Sequence, residues 1–203
     1  MKTAHVSSVN VVHALVPDTR GDLDLTAIDK RARDGRVHVG PVGLHGDDQY
    51  DKRNHGGVEQ AVYAYAREDA QWWANELGYE ITPGRFGENL STDGLDVTGA
   101  VLGERWRVGD DGLMLEVSSP RVPCATFQGW MDEPHWVKRF TDHGAPGAYL
   151  RVITEGTVGE VFAIRSVETD RLLRALGDTG VRGEMADVIR RDLAARARKA
   201  VSR

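Results

Sequence analysis

Apolar runs in this chain are short and are cut repeatedly by Gly, Asp, Asn and Pro. The stretches HVSSVNVVHALV, RVHVG, AVYAYA, ERWRVGD, LMLEVSS, AYLRVITEG and EVFAIRSVE have strand-like lengths, and several are rich in β-branched and aromatic residues. Leu113, Leu115 and Val117 alternate with Met114, Glu116 and Ser118, the period of a strand with one buried face. Such segments, punctuated by many of the 23 glycines, point to a mainly β, barrel-like or closed-sandwich unit. The pair GAYLRVITEG and TVGEVFAIRSVE reads as two strands joined by a glycine-bearing turn. Two helices interrupt the pattern. REDAQWWANELG has acids in its first turn and Gly78 as its stop, and DEPHWVKRFTDHG is a weaker second case.

From about Glu168 the character changes. Leu172, Leu173 and Leu176, then Met185, Val188, Ile189 and Leu193, recur at helical spacing. The expected organisation is therefore a strand-rich domain over residues 1–167 and a short helical C-terminal appendage over residues 168–203. At 203 residues the chain is long enough to bury a full core. Its net charge of −5 argues against bulk nucleic-acid binding, which needs a basic face. No apolar run approaches the roughly 18 residues of a membrane span, and the N-terminal stretch makes a poor signal peptide. One cysteine excludes an internal disulfide, a multi-thiolate zinc site and an iron–sulfur cluster. A cytoplasmic protein is expected.

Three stretches are over-specified for structure alone. GLHGDDQYDKRNHGG, residues 43–57, packs four glycines, two histidines and several charges together. It reads either as a solvated loop or as an anion cradle, with Gly56 and Gly57 exposing N–H groups and Lys52, Arg53 or His55 supplying charge. PGRFGENLS, residues 83–91, fixes a tight course through Pro83, Gly84 and Gly87, with Phe86 as an apolar plug. Glu88 and Asn89 then enter a strand, and Asn89 either satisfies local backbone or bonds a planar heterocycle. VSSPRVPCATF, residues 117–127, holds Cys124 three residues after Arg121. The thiol is either a small buried hydrophobe or a preset thiolate, its direction governed by Pro123 and its charge favoured by Arg121. As a nucleophile it would need a base, for which His135 and His143 are candidates. The chain lacks G-x-S-x-G, P-loop, dinucleotide-fingerprint and H-E-x-x-H motifs.

At these stretches the chain resembles the MOSC domain, the module at the C-terminal end of molybdenum cofactor sulfurases. GDDQYDKRNHGGVEQAVYAYAREDAQWW, FGENLSTDGL and VSSPRVPC fall in the family's order, and the resemblance covers roughly residues 5–165. It is strongest to the stand-alone bacterial branch with a helical appendage. The resemblance implies a barrel-like fold that binds the molybdenum cofactor, a pterin bearing a dithiolene and a phosphate. It implies Cys124 as the protein ligand to molybdenum, Arg121 on the phosphate or pterin, and His55, Gly56, Gly57, Gly87, Glu88 and Asn89 at the pocket. Pyridoxal phosphate binding is a further family-level expectation. Related reductases remove oxygen from N-hydroxylated bases and amidoximes, which sets the expected substrate class. Thr126 stands where family members often carry lysine.

The leading reading is a molybdenum-dependent reductase of N-hydroxylated compounds. It needs a separate electron-donor protein, since the chain carries no flavin, haem or cluster signature. Two other readings are a cofactor or sulfur carrier without its own turnover, and a cofactor-free thiol enzyme. No nucleic-acid or membrane partner is expected, and an oligomer is compatible with the sequence.

Overall fold

The computed structural model describes residues 4–51 and 56–168. The chain is mainly β. In order it forms β1 (His5–Pro17), β2 (Leu25–Ala32), β3 (Val37–Gly40), β4 (Gly43–Leu44), β5 (Val62–Ala66), α1 (Arg67–Leu77), β6 (Leu90–Asp93), β7 (Arg105–Val108), β8 (Leu113–Pro120), α2 (Ala125–Met131), α3 (Trp136–His143), β9 (Ala148–Thr154), β10 (Gly156–Val158) and β11 (Ile164–Glu168). The expected appendage lies outside the described residues, apart from Glu168 at the end of β11.

Eight strands make one mixed sheet in the order β11-β7-β8-β9-β5-β6-β1-β2, and β10-β3-β4 form a smaller one. All pairings are antiparallel except β5 with β6. A parallel pair needs a crossover, and α1 supplies it. The sheet order is linear, so the closed barrel expected from the strand pattern is not among these pairings. β1, 13 residues long and bulged, pairs β6 with its first half and β2 with its second, so β2 is left as one edge of the sheet. The start of β1 also meets the approach to β11, where Val6 and Ala4 exchange backbone hydrogen bonds with residues 161–164.

The expected hairpin after Ala148 is corrected. β9 pairs β8 and β5, β10 pairs β3, and β11 pairs β7, so these three consecutive strands pair with distant partners and not with each other. Glycine-bearing turns permit a hairpin but do not compel one when buried partners exist elsewhere.

Two cores result. One is aliphatic and lies among the strands, with Val6, Val9, Leu90, Leu113, Leu115 and Leu150 fully buried. The other is aromatic and lies between sheet and helices, joining Tyr63, Tyr65, Trp73, Phe86, Phe127, Trp136 and Phe140. β5 serves both, because its alternation sends Val62, Ala64 and Ala66 to the first and Tyr63 and Tyr65 to the second. α1 ends as expected, with Gly78 left-handed at φ 77° and its N–H donating to Ala74 O. Among the described residues, no helix is long and apolar enough to cross a membrane.

Candidate functional site

Side-chain packing across the sheet brings the motifs together. Across the adjacent strands β8, β9, β5 and β6, the residues Pro120, Ala148, Ala64 and Leu90 stand in one row. β8 and β6 run the same way, so Arg121, just past β8, and Asn89, just before β6, leave that row on opposite sides. The P-R-x-P-C and G-E-N stretches are joined instead by packing, with Phe127 against Phe86 at 5.7 Å and the Arg121 guanidinium against the ring of Tyr63, whose N–H donates to Asn89. The third stretch reaches the Asn89 side of that row through the short turn Val58–Gln60. There the Ser118 hydroxyl donates to Glu59 O at 2.5 Å, and Arg151 bonds the Glu59 carboxylate at 3.4 Å. Arg151 and Arg105 also grip Glu116, which is therefore buried although its place in the alternation of β8 marked it as exposed. Burial pushes the Glu116 carboxyl up, but these two arginines bring it below its usual range.

Cys124 is half-buried at the N-terminal boundary of α2 and packs against the aromatic core. It is in extended backbone, φ −123° and ψ 176°, and makes no side-chain cap bond to the helix. The Thr126 hydroxyl, two residues on, donates to Asp18 at 2.6 Å and ties the loop after β1 across this helix.

Arg121 is 5% exposed and lies inside a cage of rings, its guanidinium carbon 3.5 Å from the centroid of Phe127, 5.3 Å from Tyr63 and 5.8 Å from Phe140. Cation–π attraction compensates part of the cost of burying that charge. Among the described residues no carboxylate pairs with it, and its Nη1 is buried without a hydrogen bond. Burial opposes its charge, while the oxygens of Tyr63 and Tyr149 and the Cys124 sulfur raise its pKa. A buried donor of this kind costs free energy unless an acceptor arrives. An anion's oxygen is one such acceptor.

Three tyrosines line the same wall. Tyr63 and Tyr65 donate to Pro146 O and Ala145 O, at 2.7 and 3.1 Å. The half-buried Tyr149, whose ring lies 5.2 Å from Tyr63, makes no such bond among the described residues.

The G-E-N stretch is more structural than its composition shows. Phe86 is buried and meets Tyr65 edge-on at 4.9 Å. Glu88 and Asn89 lie before β6, not inside a strand. The Glu88 carboxylate accepts the N–H groups of Gly84 (2.7 Å) and Phe86 (3.0 Å) and the hydroxyl of Ser91 (2.8 Å), which stitches the 84–88 turn. Burial raises its pKa against these bonds. Asn89 accepts the Tyr63 N–H at 3.1 Å and donates to Asn10 O (3.3 Å) and Asp47 (2.8 Å). A direct bond from Asn89 to a heterocycle would have to displace one of these partners. Gly87 is left-handed at φ 78°.

Gly84 shows how closely this turn is built. Its φ is +83°, and an added Cβ would stand 2.3 Å from Lys30 O. Gly84→Ala is expected to lower the thermal midpoint, combining a left-handed penalty of about 1–2 kcal/mol with that backbone collision. A thermal melt within 1 °C or so of the parent, given the usual several degrees per kcal/mol, would show that the turn yields.

Gly56 and Gly57 are left-handed, at φ 87° and 77°. The Gly56 N–H donates to Gln60 Oε1 at 3.2 Å, whereas Gly57 faces open space. Lys52, Arg53 and His55 lie outside the described residues. His143 stacks on Trp72 at 3.7 Å and His135 opens α3 in left-handed backbone at φ 56°. Four residues around these stretches escaped the sequence reading. Lys30, Asp47, Asn10 and Tyr149 have no local signature, although the lysine within the strand run LTAIDKRA was the one visible sign.

The described residues contain no group of three or more His, Cys, Asp and Glu side chains placed to hold a metal ion. The fold and this constellation define a strand-rich domain with a thiol and a caged cation at one sheet end. Residues 51–165 match the MOSC domain, and the chain belongs to that family. Strands β1 to β4 precede the matched stretch and complete both sheets. The chain is 35% identical over 137 residues to Protein YiiM of Escherichia coli, covering 66% of this chain and 60% of that protein. It is 33% identical over 136 residues to a protein of Gibberella moniliformis named Reductase, covering 66% of this chain but 24% of that one. The chain thus matches less than two thirds of either relative's length. The crystal structure of YiiM from Geobacillus stearothermophilus superposes with a TM-score of 0.67 at 26% identity, over 89% of this chain and 80% of that one.

Proposed function

We propose that this protein binds the molybdenum cofactor at the Cys124 end of the sheet and reduces N-hydroxylated compounds with electrons from a separate donor protein. The observation that carries the reading is Arg121, a buried guanidinium with an unbonded Nη1 and no described carboxylate partner, near the chain's one thiol. The residues fit the group. Cys124 offers the soft sulfur that molybdenum takes, and Arg121 offers the cation that a phosphate or pterin oxygen takes. With no described metal cage, the remaining ligands would come with the cofactor, as a dithiolene does. The row from Pro120 to Leu90 crosses three strand intervals, about 14 Å at the usual spacing, enough for an elongated ligand. Gly57 leaves backbone room on one side, and Lys52, Arg53 and His55 are assigned to the anion there. The bridge from β1 to residues 161–164 supports a barrel-like reading of the unit.

When bound, the cofactor supplies the oxygen-accepting, two-electron chemistry. The overall change is R–NHOH plus two electrons and two protons to R–NH2 plus water, the N–O bond breaking and an N–H bond forming. The protein orients the substrate and supplies protons, and the Tyr149 hydroxyl is the uncommitted proton on the wall.

The test loads the protein with cofactor in a molybdenum-competent host and supplies reduced viologen. Conversion of an N-hydroxylated base to its amine, or of an amidoxime to its amidine, is expected, with no turnover on NADH alone. Absence of turnover together with transfer of cofactor to an apo-enzyme would establish a carrier instead. Arg121→Ala is expected to weaken cofactor binding by about 1.5–3 kcal/mol, the range for a charged hydrogen bond. Unchanged occupancy in a titration of the variant would place the anion elsewhere.

A further inference from the structure

Asp47 stands in GDDQYD beside Asp48, and composition does not separate the two. Their surroundings do. Asp47 Oδ1 accepts the N–H of Val12 on β1 at 2.8 Å, and its Oδ2 accepts both the Asn89 amide at 2.8 Å and the Lys30 ammonium of β2. The Lys30 and Asp47 side chains are 7% and 3% exposed. Desolvation pulls the Lys30 pKa down, against the upward pull of Asp47 and, more weakly, Glu88 and Asp48.

A buried ion pair adds little stability, because desolvation offsets most of its attraction. What three donors on one carboxylate do supply is a single orientation. Asn89 passes the constraint to Tyr63 and Asn10. A second path runs on from Asn10 Nδ2 to Ser91 (3.1 Å), from Ser91 to Glu88 (2.8 Å), and from Glu88 to the N–H groups of Gly84 and Phe86. The loop after β4 and the G-E-N turn are thus one hydrogen-bonded unit, continuous across five segments of the chain.

We infer that Asp47 is a positioning residue, which sets the register of the loop from His45 to Asp51 against the G-E-N turn and so governs ligand affinity without touching the ligand. The ligand in this statement rests on the cofactor reading above; the network does not.

The test is Asp47→Asn, which keeps the Val12 acceptor and removes the charge. Its control is Val158→Ala, a cavity in the aliphatic core on β10, with both variants assayed well below their melting temperatures. In cofactor-free protein, amide exchange at Tyr63 should accelerate about tenfold more than at Leu115 on β8, a local opening and not a global one. Cofactor affinity should fall about tenfold or more in Asp47→Asn and stay within about twofold in the control, as expected for coupled against distant sites. Tyr63 exchange that tracks Leu115 overturns the proposal, as does an equal affinity loss in Val158→Ala. Failure of the parent protein to bind cofactor sinks the cofactor reading instead, and the exchange comparison then decides the role of Asp47 alone.

Discussion

Replacing Cys124 by alanine is expected to abolish tight molybdenum binding in a protein that remains folded. The two halves of this expectation have separate causes. The thiol is half-buried and makes no cap bond to α2, so truncation removes little packing and no helix-terminal hydrogen bond. The stability change is expected to stay within about 1 kcal/mol, the scale for a small side chain outside a tight core. Metal binding, by contrast, depends on a deprotonated sulfur for which no neighbouring side chain substitutes. Cys124→Ser should fail as well, since a neutral hydroxyl is a poor ligand for a soft metal. Metal and pterin content of the purified variants decides the matter. Full metal retention in a folded Cys124→Ala protein removes Cys124 from the site.

Local features were the legible ones. α1 was readable because its stop, Gly78, and its first-turn acids, Glu68 and Asp69, act within one turn of chain. α2 was not, being seven residues with Gly129 inside and no side-chain cap before it. The position of β8 followed from alternation and those of β5 and β7 from short strand-length runs, whereas strand partners did not. β9, β10 and β11 were separated by short turns and still paired elsewhere, because register follows buried faces that no local window contains. The site shows the same division. Cys124 and Arg121 were visible as a rigid, charged neighbourhood, but the ring cage around Arg121 draws on Tyr63 and Phe140, far away in sequence. Asn89 stood open between local backbone and a heterocycle, since nothing nearby in sequence announces Asp47, Tyr63 and Asn10 as its partners.

That hidden network carries the largest expected stability effect. Lys30→Ala leaves the Asp47 carboxylate buried and facing only the Asn89 amide and the Val12 N–H. Breaking a buried pair on one side costs about 3–5 kcal/mol, far more than the pair contributes when whole. Several kcal/mol is a large share of the stability of an ordinary domain, so the variant should melt well below the parent. The loss should also depend on pH with a definite sign. An unpaired buried carboxylate has its pKa raised, so the folded variant binds a proton more readily than the unfolded chain does. Its stability then falls as pH rises through the window from the ordinary carboxylate range to that raised value. The deficit relative to the parent should therefore be smaller at the acid end of that window than at neutral pH. Urea midpoints of both proteins across that range give the comparison. A deficit that is constant or grows toward acid would show that Lys30 acts through packing of its stem and not through its charge on Asp47.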